Sequence, residues 1–346
     1  MKRLLLYVSF LVFFSACDHS QEYVDQYETC MLLLELGSYT EVTNKLEEYA
    51  NKGNPMAKKM LGECYENGIG LKQDKDKANK LYNEAFKAME SLAKNGHPLI
   101  QYHLGLMYQL GEGVEQSDEK AFEWYKKSAE QGEAMAQGHL ANCYQLGQGV
   151  ERNLEKAAEW YLKAAEQGEA RAQCNIGDCY GNGDGVKQNL EKAAEWYLKS
   201  AKQGYDRAQH NIGFCYEYGH GVEQSYEKAA EWYLKAAEQG YAGSQCNLGL
   251  CYEYGHGVEQ SYEKAAEWYL KAAEQGIAQA QCNLGNYYYM GYGVRQSFER
   301  AVEWWRKSAW QGYKQAMRNL SQCYEYGLGV EQDYSQARFW EDKANE

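Results

Sequence analysis

Eleven cysteines and seven histidines are the residues of this 346-residue chain whose types could most readily do chemistry. Thiolate and imidazole are good zinc ligands, and Cys174, Cys179, His210 and Cys215 can be drawn as a metal ladder. The spacing argues against it. Structural zinc sites use short Cys-x-x-Cys steps, whereas five residues rotate about 140 degrees around a helix, so these ligands diverge. No metal site is expected. His220 and His256 each stand between two glycines and read as solvent-facing turn residues. Serine followed three residues later by lysine, the spacing of an acylating Ser-Lys pair, occurs at Ser91/Lys94, Ser117/Lys120, Ser225/Lys228 and Ser261/Lys264. No Lys-Thr-Gly accompanies them, and a nucleophile has no need of copies. Triads, phosphate-binding loops and dinucleotide fingerprints are also missing. Neither catalytic residues nor a cofactor are expected.

A different pair of columns repeats in a way that suits recognition. Asn175, Asn211, Asn247, Asn283 and Asn319 recur in register, and three residues later comes a varied set: Leu106, Asn142, Asp178, Phe214, Leu250, Asn286 and Gln322. Asparagine offers both a donor and an acceptor to an extended backbone, while the varied neighbour can select side chains. The candidate partner-binding residues are therefore Asn175, Asp178, Asn211, Phe214, Asn247, Leu250, Asn283, Asn286 and Asn319. The alternative is that the asparagines bond within or between repeats. Tyr218, Tyr254 and Tyr326, with Met290 in the same column, either add interface area or close the core between repeats.

The elements that hold these residues follow from a period. Trp124, Trp160, Trp196, Trp232, Trp268, Trp304 and Trp340 are spaced by 36 residues, and glycine pairs from Gly68/Gly70 to Gly327/Gly329 keep the same register through eight units. Cys215–Gly240 and Cys251–Gly276 are identical in sequence. Such a chain is quasi-one-dimensional, each unit burying its apolar face against its neighbours. Each unit reads as two helices around a glycine turn. Helix A carries a stripe such as Ala172, Ile176 and Tyr180, with Gly177 allowing close approach. Helix B carries Ala193, Trp196, Tyr197, Ser200 and Ala201. Asp74, Ser117, Asn153, Asn189, Ser225, Ser261, Ser297 and Asp333 open helix B in the successive units, and all are favoured N-caps. In the first unit Gly70 to Gly96 is 7 residues longer than Gly113 to Gly132, about two extra turns of helix B.

The net charge of −13, with Glu151, Glu155, Glu159 and Glu166 on one repeated surface, repels phosphate backbones, so nucleic acid is not an expected partner. Lys2 and Arg3 precede an apolar run of 13 residues, too short to span a bilayer and of signal-peptide length. Phe14-Ser15-Ala16-Cys17 resembles the bacterial lipoprotein cleavage box, with Phe14 in place of the usual leucine. The resemblance implies removal of residues 1–16, lipidation of Cys17 and a periplasmic location at the cell envelope, with the membrane touched only through that anchor.

The pattern carried by Leu248, Gly249, Tyr252, Gly255, Gly257, Val258, Lys264, Ala265, Trp268, Tyr269, Lys271 and Ala272 resembles the Sel-one-like repeat family. This implies an all-α fold, a right-handed α/α superhelical solenoid related to tetratricopeptide arrays with helix A on its concave side. Residues 55–346 are read as eight such repeats. Residues 17–54 are read as the lipidated N-terminus and a capping helix hairpin that turns near Gly37-Ser38, with Leu32, Leu36 and Leu46 facing inward. The Helicobacter cysteine-rich proteins of this family pair a helix-A with a helix-B cysteine, but here no helix B of the eight units contains cysteine. Equivalent positions in neighbouring units lie about 10 Å apart, beyond disulfide reach, so reduced packing cysteines are expected. The expected function is a non-catalytic scaffold binding a protein or peptide partner on the concave face. A weak β-lactamase-like hydrolase, as described in the cysteine-rich branch, and a zinc-binding repeat protein are the alternatives.

Overall fold

A computed structural model describes residues 20–346, which form eighteen α-helices and no strand. Cys17 and the signal segment lie outside the described residues. The chain divides into two compact units, one ending at Asn153 and one running from Leu154 to Glu346. The first contains α1 (Ser20–Glu35), α2 (Tyr39–Asn51), α3 (Pro55–Asn67), α4 (Lys75–Ala93), α5 (Pro98–Leu110), α6 (Asp118–Glu130) and α7 (Ala134–Leu146). The second contains α8 (Leu154–Glu166), α9 (Ala170–Asn182), α10 (Leu190–Lys202), α11 (Asp206–Tyr218), α12 (Tyr226–Glu238), α13 (Ala242–Tyr254), α14 (Tyr262–Glu274), α15 (Ala278–Met290), α16 (Phe298–Trp310), α17 (Lys314–Tyr326) and α18 (Tyr334–Asn345). Within each unit, consecutive helices pack as pairs and the pairs pack on each other.

Local chemistry sets the helix limits. Asn189, Ser225, Ser261 and Ser297 each accept the backbone N–H three residues on, satisfying a first-turn amide that helix geometry leaves unpaired. Pro55 and Pro98 occupy first-turn positions of α3 and α5, where no backbone donor is lost. Helix A ends on a left-handed glycine, Gly219 at φ 70° in α11. The second glycine of the turn has a separate duty. A Cβ on Gly221 (φ 72°) would lie 2.0 Å from the Leu190 carbonyl oxygen, so the turn seats directly on the first residue of the preceding helix B; only at Gly113, which meets Tyr82 within the longer α4, is the seat further along. Helix α4, 19 residues long where the other second helices have 12 or 13, carries the extra turns.

Two stripes differ from the sequence expectation. In helix B the core residue is the tyrosine, not the tryptophan before it. Tyr125, Tyr161, Tyr233 and Tyr269 are wholly buried. A Cβ on Gly177 or Gly249 would come within 2.6 Å of Tyr197 or Tyr269, so the helix-A glycine is the slot for the ring. The tryptophans from Trp124 to Trp304 are half-buried, each with the lysine three residues on above its ring, as in Lys199 over Trp196 at 4.0 Å, whereas Trp340 of α18 is itself buried. Leu32 of α1 and Leu36 just beyond it are exposed, because the buried edge of the helix runs through Val24, Tyr27 and Cys30 instead; Leu46 of α2 is buried.

Candidate functional site

In the second unit the candidate residues lie mid-way along the first helix of each pair, off its buried stripe. Asp178 and Asn175 of α9 meet Arg207 of α11. The guanidinium donates to Asp178 Oδ2 at 2.7 Å and to Asn175 Oδ1 at 2.5 Å, and its Nε donates to Cys174 Sγ. Asn211 Nδ2 donates to Asp178 Oδ1 at 3.2 Å, and the Tyr197 hydroxyl donates to the same oxygen at 2.8 Å. Burial raises the Asp178 carboxyl above its usual range, against the pull of Arg207. The same geometry recurs in α15 and α17: the side-chain amides of Asn286 and Asn319 lie 2.9 Å apart, and Trp305 Nε1 donates to Asn286 Oδ1 at 3.0 Å.

The two columns are therefore coupled. At Asp178 and Asn286 the asparagine of the next repeat bonds to the varied position, so Asn211 and Asn319 are latches between repeats and half-buried. Asn247 and Asn283 are also half-buried, and Leu250 packs at the edge of the core. Phe214 is 41% exposed and its ring lies tilted against Tyr218 at 4.6 Å. Tyr218, Tyr254, Met290 and Tyr326, at the ends of their helices, are the exposed column rather than core closure.

Two clefts open on this face at the same register. One of about 400 Å³ lies among Asp178, Gly181, Tyr197, Asn211, Phe214 and His220. A second of about 390 Å³ lies among Asn286, Met290, Trp305, Asn319, Gln322 and Tyr326. A feature the sequence reading missed explains the first. In other repeats the core tyrosine donates to a side chain sixteen residues back: Tyr82 to Glu66, Tyr125 to Gln109, Tyr233 to Glu217 and Tyr269 to Glu253. In α9 that position is Gly181, so Tyr197 turns to Asp178 and the missing side chain leaves space. The 16-residue step from Tyr82, Tyr233 and Tyr269 back to a glutamate was visible in the sequence.

The first unit has its own buried polar group. Lys59, 5% exposed, is held between Glu63 and Glu112, the latter at 3.1 Å. His103 is wholly buried with neither ring nitrogen hydrogen-bonded, and Tyr27 of α1 packs edge-on against it at 4.8 Å. Burial, with the Lys59 ammonium nearby, pushes its imidazole down to about 3.

The chemical alternatives meet specific geometry. The Ser225 and Ser261 hydroxyls cap their helices, while Lys228 and Lys264 lie over Tyr216 and Tyr252 at 5.2 Å. Among the described residues, no three His, Cys, Asp or Glu side chains gather as metal ligands would. The ten described cysteines are free and buried, and burial pushes thiols such as Cys174, Cys246 and Cys282 up to about 12.

Residues 55–88, 99–133, 134–169, 170–205, 206–241, 242–277, 278–313 and 314–345 each match the family described as the Sel1 repeat. Among solved structures, the chain is 34% identical to c5321, a protective antigen present in uropathogenic Escherichia coli strains displaying an SLR fold, covering 94% of this chain and 77% of that one with a TM-score of 0.52. A Sel1 repeat protein from Oxalobacter formigenes is also 34% identical, covering 71% of this chain and 97% of that one with a TM-score of 0.64. At 15% identity, a signal-transduction ATPase with a tetratricopeptide repeat sensor from Pyrococcus horikoshii is similar in fold, covering 95% of this chain and 53% of that one with a TM-score of 0.52. No match is found among curated proteins.

Proposed function

Because the chain belongs to the Sel1 repeat family, whose tetratricopeptide-like fold is typical of protein-interaction scaffolds, we propose that it is a non-catalytic adaptor whose helix-A face in the second unit engages a partner protein or peptide. One observation carries this reading: the same face offers exposed apolar side chains beside fixed polar groups at two places along the array, Phe214 beside Asp178 and Asn211, and Met290 and Tyr326 beside Asn286 and Asn319. Repeated contacts of moderate strength suit an extended ligand, with side-chain selection at the clefts and backbone bonding between them. Since Asn211 and Asn319 already serve as latches, we assign selectivity chiefly to Phe214, Leu250, Met290 and Tyr326.

We further propose that the adaptor works at the bacterial cell envelope, held by acyl chains on Cys17. The charged start, the 13-residue apolar run and the Ser15-Ala16-Cys17 junction support this. So does the 34% identity to a protective antigen. A photo-crosslinking residue at position 214, in the protein expressed in its own host, should yield one protein adduct in the membrane fraction, and a Cys17→Ser form should move to the soluble fraction.

A further inference from the structure

The turn edge of the second unit carries two matching clusters, each built on a glutamate that a core tyrosine holds from below. In repeat 206–241, the rings of Phe214, Tyr218 and His220 have centroids 4.6, 5.5 and 5.8 Å apart, and the Tyr218 hydroxyl bonds to Glu217. In repeat 242–277, Glu253 sits beside Tyr254 and His256, and Tyr226 from the preceding helix B stacks on His256 at 4.6 Å. Tyr218 is 55% and Tyr254 59% exposed. The two histidines, which read from sequence as bland turn residues, thus complete walls of rings.

Each carboxylate is fixed from below. The buried Tyr233 and Tyr269 hydroxyls donate to Glu217 and Glu253 at 2.5 Å each. The Glu217 carboxylate in turn holds the Tyr218 hydroxyl above its ordinary pKa, as Glu253 does for Tyr254. Among the described residues neither carboxylate has an ion pair with lysine or arginine. The lysines of these repeats lie elsewhere, Lys228 and Lys264 over Tyr216 and Tyr252, and Lys235 and Lys271 over Trp232 and Trp268. A fixed carboxylate at the foot of exposed rings attracts an ammonium or guanidinium twice, through its charge and through the ring faces. The net charge of −13 steers such a group inward.

The spacing of the clusters narrows the ligand. The axes of packed helices lie about 8–10 Å apart, which sets the spacing of equivalent points on adjacent repeats. A polyproline II segment returns the same face every third residue, after about 9.3 Å. A β-strand returns it after about 7 Å or 13 Å and misses. We propose that the Glu217 and Glu253 clusters bind two basic side chains, three residues apart, of a partner segment in polyproline II conformation. This rests on the interaction-face reading above and names the chemistry of its ligand.

The test uses the full chain and synthetic peptides. Ac-Pro-Pro-Lys-Pro-Pro-Lys-Pro-Pro-amide, labelled for fluorescence anisotropy, should bind, with affinity falling as salt rises. Glu217→Gln and Glu253→Gln keep an acceptor for the tyrosine hydroxyls and should preserve helicity. Together they should weaken binding about tenfold, the scale of losing two exposed charge pairs while the rings remain. Peptides with one or three prolines between the lysines, or with glutamates in their place, should bind at least about fivefold more weakly. Equal affinity for the double variant, indifference to spacing, or no binding at all overturns the basic-ligand assignment. The interaction-face reading fails separately, if a crosslinker at position 214 captures nothing in the native host.

Discussion

Helix α9 contains two glycines one turn apart whose replacement by alanine should act in opposite directions. A Cβ on Gly177 would lie 2.6 and 2.7 Å from Cε1 and Cδ1 of Tyr197, a ring held in the core with its hydroxyl bonded to Asp178. A Cβ on Gly181 would meet nothing closer than the Tyr197 hydroxyl at 3.5 Å. In a helix interior, alanine is better than glycine by about 1 kcal/mol. Gly181→Ala should therefore stabilise by up to about 1 kcal/mol. At Gly177 the same gain meets an overpacking cost of about 1–3 kcal/mol, since the contacted atoms belong to a rigid ring. Gly177→Ala should then be neutral to destabilising by about 2 kcal/mol, and the two variants should differ by about 1–3 kcal/mol. Urea unfolding followed by far-ultraviolet circular dichroism measures both, and Tyr197→Leu should relieve Gly177→Ala in a double-mutant cycle. Equal shifts of the same sign in the two single variants would refute the reasoning, because helix propensity alone would then account for both.

Acid should act through His103 in the first unit. Its folded pKa, pushed down to about 3 by burial, lies below the ordinary value of 6.5, so the unfolded chain binds the proton first. Its contribution to stability is complete above pH 6.5 and is lost as pH falls toward 3. His103→Leu replaces an unbonded buried polar ring with an apolar group; urea midpoints at pH 6.5 and 4 should show the wild type losing about 3 kcal/mol more than the variant. The cysteines give a further check. With thiols such as Cys143, Cys179 and Cys251 buried and pushed up to about 12, iodoacetamide at pH 8 should label the ten cysteines between Cys30 and Cys323 only after denaturation. Rapid labelling of the native protein, read by peptide mass spectrometry, would contradict this.

The helical repeat, its N-caps and its glycine turns were legible in the sequence because each is a local rule copied at a fixed period, as Ser225 and Ser261 show. The choice between two adjacent aromatic residues was not. Trp196 and Tyr197 fit one stripe equally well, and what separates them is Gly177 on another helix, a contact that no periodicity of helix B contains. The α1 stripe was misread for a similar reason: leucine content drew attention to Leu32 and Leu36, while the helix buries Val24, Tyr27 and Cys30 against α2, α3 and α5. At the candidate site, the register of the asparagines was legible, but their role as latches depends on a reach of 33 residues to Asp178 or Asn286. The carboxylate clusters were hidden because Glu217 and Glu253 look like ordinary exposed helix acids until the rings around them are placed.

The central claim is that the helix-A face of the second unit is where a partner sits. Site-specific photo-crosslinkers at Phe214, Leu250 and Met290, compared with matched ones at the exposed helix-B positions Glu195, Glu231 and Glu267, test it in the native host. The account predicts one common protein adduct from the first three positions and none from the second three. Adducts from the helix-B positions alone, or none from either set, would contradict it.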